Sequence, residues 1–156
     1  MLKLSDTLKN KMDSTVYKLI ALLNIADTYL WLKNTDEAEL YNEAGLTKCS
    51  PKNLSWLYYP FLMNKAIIHY QRRQYNDCIS LSKQLKDITK VDNNQDLYLT
   101  DIFYIGKSSY KLNVYQESLT YLEKALALTN TSDNVNINEK ELHEFLALAY
   151  NKIGNS

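Results

Sequence analysis

The chain repeats itself at an offset of 40 residues, and this periodicity restricts the possible folds more than any other feature. Two columns of the repeat hold small residues and four hold large apolar ones. The small columns are Ala26, Ala66 and Gly106, and, twelve positions later, Ala38, Cys78 and Ser118. The large columns are Leu19, Tyr59 and Leu99; Leu22, Leu62 and Ile102; Leu30, Tyr70 and Tyr110; Tyr41, Leu81 and Tyr121. Six columns in one register predict three structural units that pack on one another.

Each unit is predicted to contain two helices, because its apolar residues are spaced three and four positions apart, the pattern of one buried helical face. Only three Gly and two Pro leave few positions for strand ends or tight turns. Polar turn formers interrupt the pattern near 33–36, 73–74 and 113–114 within the units, and near 50–51, 92–94 and 131–134 between them. After an ill-defined lead-in of about a dozen residues, the predicted helices are 14–33, 35–48, 53–72, 75–90, 95–112, 114–129 and 138–153. Within the third of these we expect a kink or a restart at Pro60.

Charge and cysteine content exclude several classes of protein. Eighteen basic residues balance eighteen acidic ones, so nothing attracts the chain as a whole to nucleic acid or to an anionic membrane. Thirteen Tyr would suit base stacking, but most fall at core spacing and no cationic groove accompanies them. Two Cys fit neither a disulfide framework nor a zinc site. The sequence has no signal peptide and no apolar run long enough to cross a membrane, so we expect a cytoplasmic location.

Catalytic equipment is also missing from the sequence. No nucleophile–base pair, metal-ligand cluster or glycine-rich phosphate loop can be assembled, so we expect neither an enzyme nor a bound cofactor or metal. His69 falls in a packing or groove column, and His143 has no partner at metal-ligand spacing. Cys78 occupies a small column and should be buried, whereas Cys49 lies near a helix end and could be exposed. Three acidic residues are expected to form a solvated first turn of the last helix: Glu139, Glu141 and Glu144.

The columns resemble the tetratricopeptide pattern W-x2-L-G-x2-Y, followed by a small residue twelve positions after the Gly. The first and third units match it well, while Lys65 and His69 weaken the middle one. A fourth copy starts at His143 and ends without a second helix. The matching residues are Leu22, Ile25, Ala26, Tyr29 and Ala38; Ile102, Ile105, Gly106 and Ser118; His143, Leu146, Ala147 and Tyr150.

The resemblance implies an all-α fold, a right-handed α-solenoid of antiparallel helix pairs with about three hairpins and a final single helix. We expect one domain over residues 1–156, with repeats near 14–52, 53–92 and 93–133 and a partial copy over 134–156. A period of 40 in place of the family's 34 implies longer helices or loops. The unfinished copy suggests a fragment of a longer chain, or a lone terminal helix that serves as a cap.

In proteins of this resemblance the first helix of each pair lines a concave, peptide-binding groove. The candidate groove residues are Leu23, Asn24, Asp27, Trp31, Met63, Asn64, Ile67, Tyr70, Phe103, Tyr104, Lys107 and Tyr110. The lysine clamp that some members use for a terminal carboxylate is absent, since Leu23, Met63 and Phe103 stand in its place. We therefore expect a non-enzymatic scaffold that binds a hydrophobic or mixed peptide. Alternatively the chain is a sensory or regulatory segment of a larger bacterial regulator, next to a DNA-binding or kinase domain, or the groove residues pack against another helix of a longer protein.

Overall fold

The computed structural model describes residues 2–91, 94–130 and 137–154, with side chains from residue 14 onward except that of Val91. Within these ranges there are seven α-helices and no strand: α1 (Leu2–Trp31), α2 (Thr35–Leu46), α3 (Ser55–Gln71), α4 (Tyr75–Val91), α5 (Gln95–Lys111), α6 (Tyr115–Thr129) and α7 (Glu139–Gly154). The all-α class is therefore confirmed. All but one of the predicted helix ends agree with these bounds to within two residues.

The exception is the start of α1. The first dozen residues, predicted as an ill-defined lead-in, continue the helix back to Leu2, so that α1 is 30 residues long. The predicted breaks at 92–93 and 131–134 lie outside the described residues.

The chain divides into two compact units, Met1–Asn64 (unit 1) and Lys65–Ser156 (unit 2), with the division inside α3. In unit 1, α1 packs on α2. In unit 2, α4 packs on α5, α5 on α6, and α6 on α7, and α5 also contacts α7. Packing between consecutive helices is what a helical repeat requires.

The turn inside each helix pair recurs with the same backbone conformation. Lys33, Arg73 and Asn113 have positive φ angles of 57°, 62° and 62°. At each turn the left-handed residue donates its N–H to the carbonyl three residues earlier, and the next residue donates to the carbonyl five residues earlier. This is the Schellman ending of a helix. The 40-residue repeat is thus present in the hydrogen bonds of the backbone as well as in the sequence.

The small columns lie where helices approach closely. Ser118 Oγ of α6 donates to the carbonyl of Gly106 in α5 at 2.8 Å. A Cβ atom on Gly106 would lie only 2.7 Å from Cγ of Leu122. The residues of both columns are buried in all three pairs. Their predicted steric role is confirmed for α5 and α6, because any larger residue at Gly106 would force these two helices apart.

Two further columns of the repeat hold different residues in the two units. In unit 1 a Cβ on Gly45 would lie 2.2 Å from the ring of Phe61, so the glycine makes room for that ring. Forty residues later the same two columns hold Leu85 and Asp101. There Thr89 Oγ1 donates to Oδ2 of Asp101 at 3.2 Å. Unit 1 thus has a glycine beneath a phenylalanine ring at these positions, and unit 2 has a buried leucine and a buried aspartate.

Pro60 does not restart a helix, so that part of the expectation was wrong, while a kink at Pro60 stays a prediction. Residues 55–71 form one continuous helix with Pro60 in its second turn. A proline this early removes its own N–H bond to the carbonyl four residues back, and Leu57 and Phe61, both buried, anchor α3 on either side of it.

Candidate functional site

Three of the candidate groove residues form an exposed stripe on α1 of unit 1. Asn24, Asp27 and Trp31 follow one another at spacings of three and four, so they share one face of the helix. All three are exposed, and Trp31 retains 85% of its accessible surface. Leu23 and Met63, also candidates, are half-buried in the same unit. We call Asn24, Asp27 and Trp31 the α1 surface.

Asp27 is held in place by a buried amide. Asn64 Nδ2 of α3 donates to Asp27 Oδ1 at 2.5 Å, and Asn64 is only 2% exposed. Partial burial raises the pKa of Asp27, while the bond from Asn64 acts in the opposite direction. A carboxylate fixed in this way is preorganised as an acceptor for a donor or a cation.

The other six candidates lie in unit 2, and there the side chain of Lys107 is enclosed by three of the others. Its Nζ lies 4.4 Å from the ring centre of Tyr70, 4.6 Å from that of Tyr104 and 4.8 Å from that of Phe103. It also forms an ion pair of 2.7 Å with Glu141 Oε1 of α7. Lys107 is 2% exposed, so its charge is enclosed within the unit. We call this arrangement the Lys107 cage.

The chemistry of the cage follows from its burial. Burial lowers the pKa of Lys107, and Glu141 partly offsets this. Burial, together with the charge of Glu141, raises the pKa values of Tyr70 and Tyr104 above their usual range. Lysine over several aromatic faces gains cation–π energy that increases as water is removed. The aromatic rings of the cage are therefore already in contact with a cation, Lys107, and leave no free position for another one.

Ring pairs beside the cage repeat along the unit. Tyr70 contacts Tyr104 with ring centres 5.3 Å apart, and Tyr110 contacts Phe145 at 5.4 Å. Ile67, the last of the six candidates, is half-buried.

Two residues of this site were not predicted from the sequence, Glu141 and Phe145. The expectation that Glu141 is merely solvated was wrong. Extending the fourth copy would have indicated Phe145, because it stands 41 positions after Tyr104 just as Ala147 does after Gly106.

The structure also places the two histidines and the two cysteines of the chain. His69 Nδ1 lies 2.8 Å from Gln74 Oε1, and His143 is exposed. Cys78 is buried, as predicted. The expectation that Cys49 could be exposed was wrong, since it is 8% exposed and its thiol donates to the carbonyl of Gly45 at 3.3 Å.

No group of three or more His, Cys, Asp and Glu side chains in the described part of the chain is arranged to hold a metal ion. None of the helices described there is long and apolar enough to cross a membrane.

No protein-family model and no curated protein matches the chain. Support for a helical repeat comes from internal periodicity: the columns, the three Schellman turns and the recurring ring pairs.

Proposed function

We propose that the chain is a tetratricopeptide-like helical-repeat module that binds another polypeptide without catalysis, and that the α1 surface is where it binds. The observation that carries this proposal is the exposure of Trp31 beside the fixed carboxylate of Asp27. A large, solvent-exposed indole next to a preorganised acceptor is the composition of a binding hot spot. An α-solenoid arrangement of the helix pairs, supported by the 40-residue repeat, belongs to the same proposal.

The α1 surface favours an extended peptide with a basic residue next to an apolar one. Asp27 would pair with the basic side chain, and the indole of Trp31 would take either an apolar group or the face of a cation. The Asn24 amide offers a donor and an acceptor to the peptide backbone. The sequence predicts a hydrophobic or mixed peptide, and of these two the α1 surface favours a mixed peptide that carries a positive charge.

Unit 2 supports this assignment by contrast. Its candidate positions are occupied by the Lys107 cage and by the ring pairs beside it, so a peptide would have to displace buried side chains there. Binding at Asn24, Asp27 and Trp31 requires no such displacement. The same surface would serve a sensory segment of a larger regulator, the alternative function, because peptide sensing needs the same contacts.

The experiment is a peptide-display selection against the purified protein, followed by measurement of affinities for variants. Trp31→Ala and Asp27→Asn should each weaken the selected peptides about tenfold or more, the effect of losing a hot-spot contact. Trp56→Ala is the matched control, since Trp56 is also exposed but lies in the first turn of α3. In a Trp56→Phe background the single remaining indole, Trp31, should change its fluorescence on binding.

A selection that yields peptides whose affinity is the same for wild type and Trp31→Ala would refute the α1 surface. Equal losses for Trp31→Ala and Trp56→Ala would indicate nonspecific aromatic adhesion instead.

A further inference from the structure

The three residues of the α1 surface stand at fixed intervals along one helix. Asn24, Asp27 and Trp31 all belong to α1 and are exposed. With a rise of about 1.5 Å per residue, Asp27 lies about 4.5 Å beyond Asn24 along the helix axis, and Trp31 lies about 6 Å beyond Asp27. At about 100° per residue, their directions around the axis differ by no more than about 60°. A ligand that contacts all three residues therefore runs along α1 and must match these intervals.

The longer interval separates two contacts of different chemistry. Within the described ranges only Asn64 interacts with the Asp27 carboxylate, and this buried amide fixes its position. The indole of Trp31 retains 85% of its surface and offers an apolar face. A basic group of the ligand is therefore placed at Asp27, and an apolar group at Trp31, about 6 Å further along the helix axis.

Asn24 favours an extended ligand over a helical one. Its exposed amide offers a donor and an acceptor. In a helical ligand the backbone N–H and C=O groups are bonded to each other, whereas an extended ligand presents them free. A helical ligand also needs a broad apolar groove, and of the three residues only Trp31 supplies apolar surface.

An extended peptide matches the longer interval at one spacing only. Its residues rise about 3.3 Å each, and successive side chains point to opposite faces. Two side chains on the same face are thus two positions and about 6.6 Å apart, close to the interval of about 6 Å between Asp27 and Trp31. Side chains one or three positions apart point to opposite faces and cannot both reach α1.

We infer that the α1 surface recognises a basic and an apolar side chain two positions apart in an extended peptide. The basic side chain pairs with Asp27, the apolar one covers the indole of Trp31, and Asn24 bonds to the peptide backbone beside the basic residue. The two side chains are neighbours on the bound face although a third residue separates them in sequence. This inference rests on the proposed function and adds the spacing of the ligand's contacts to it.

The test uses synthetic serine peptides of equal length that contain one Lys and one Leu, set one, two, three or four positions apart, in both orders. Chemical shifts of the isotope-labelled protein are followed up to about 10 mM peptide, because two contacts alone give weak binding. In at least one order, the peptide with spacing two should bind about tenfold more tightly than the others, since a mismatched peptide keeps only one of the two contacts.

Variants of the protein separate the spacing from simple charge attraction. Asp27→Asn and Trp31→Ala should each lower the affinity of the spacing-two peptide to that of the mismatched ones, because only one contact is then left to match. Asp77→Asn is the matched control: it removes an exposed carboxylate in the first turn of α4 and should leave the preference for spacing two unchanged.

Equal affinities for spacings one and two, with binding still dependent on Asp27 and Trp31, would overturn the spacing and leave the proposed function standing. Tightest binding at spacing four would overturn it too, because four residues of a helix also rise about 6 Å and the ligand would then be helical. If no peptide binds, or if neither Asp27→Asn nor Trp31→Ala affects binding, the α1 surface itself fails and the inference fails with it.

Discussion

Asp101 is predicted to make unit 2 less stable as the pH rises. Its carboxyl lies between α4 and α5 and is 1% exposed. Oδ2 accepts from Thr89, and Oδ1 has no hydrogen-bond partner. Burial raises the pKa of Asp101 from 3.8 to about 8, against smaller opposing effects of the Thr89 hydroxyl and the Lys86 charge. The folded protein therefore holds this proton at neutral pH, where the unfolded chain has released it.

The sign and size follow from linkage. The stabilising contribution of this group is complete below pH 3.8 and is lost as the pH rises to about 8. Between these limits the free energy of unfolding falls by about 1.4 kcal/mol for each pH unit. From pH 5 to pH 7 the loss from this carboxyl alone is then about 3 kcal/mol. That is a large part of the stability of a small domain, typically about 5–15 kcal/mol.

The assay is urea unfolding at pH 5, 6 and 7, followed by far-UV circular dichroism, for wild type and Asp101→Asn. The asparagine has nearly the same shape and cannot ionise, so its stability should lack this slope and exceed that of wild type by several kcal/mol at pH 7. Asp96→Asn is the matched control, because Asp96 lies in the first turn of the same helix and is not buried. Trp fluorescence adds a second readout confined to unit 1, which contains both tryptophans.

The reasoning is refuted if wild type and Asp101→Asn lose stability in parallel between pH 5 and pH 7. The carboxyl would then be ionised in the folded state, with a partner for Oδ1 that compensates its charge.

Three further predictions concern packing and backbone conformation. Gly45→Ala should destabilise the protein by about 1–3 kcal/mol, because its Cβ would meet the Phe61 ring, whereas Gly154→Ala, with nothing within 4 Å, should cost nothing. Thermal unfolding compares the two. Arg73→Gly should stabilise by about 1 kcal/mol by relieving a left-handed conformation, and Asn113→Gly by less, because Asn tolerates that conformation better. No gain from Arg73→Gly in thermal unfolding would show that this turn is unstrained. Lys107→Ala should cost about 2–4 kcal/mol by emptying the cage and leaving Glu141 without its ion-pair partner, and Lys107→Met should cost less, since its side chain refills the cage. Equal denaturation midpoints for these two variants would contradict the packing account.

The helix pairs were predictable because their determinants are local. Close helix packing requires a small residue at Gly106, and the helix ending requires a left-handed residue at Arg73. Both requirements recur every 40 residues and do not depend on the neighbouring units. The start of α1 was missed for another reason: Leu4, Leu8 and Met12 are spaced four positions apart, as in a helix, but they precede the first unit of the 40-residue repeat. The packing of Phe61 on Gly45 was also hidden, since neither of their columns keeps one residue size through the repeat.

The exposure of the candidate site residues was harder to predict than the helix pairs. Asp27, Ile67 and Lys107 occupy one column of the first helices, and the resemblance implies that all three face a groove. Asp27 and Lys107 each contact residues of the next repeat, more than thirty positions away, and we infer that these contacts set their exposure. Beside Asp27 stands Asn64, a short amide that bonds to the carboxylate and leaves it exposed.

Beside Lys107 stand Phe145, whose ring centre is 5.7 Å from its Nζ, and Glu141, which neutralises it. One column thus gives an exposed acceptor in unit 1 and a buried, neutralised cation in unit 2. Replacing Phe145 with Asn would copy the neighbour that Asp27 has, and should raise the exposure of Lys107 and its reactivity toward amine-labelling reagents above wild type. Unchanged labelling in the folded variant would mean that Tyr70, Phe103 and Tyr104 suffice to enclose the lysine, and that the next repeat does not decide whether this column is open.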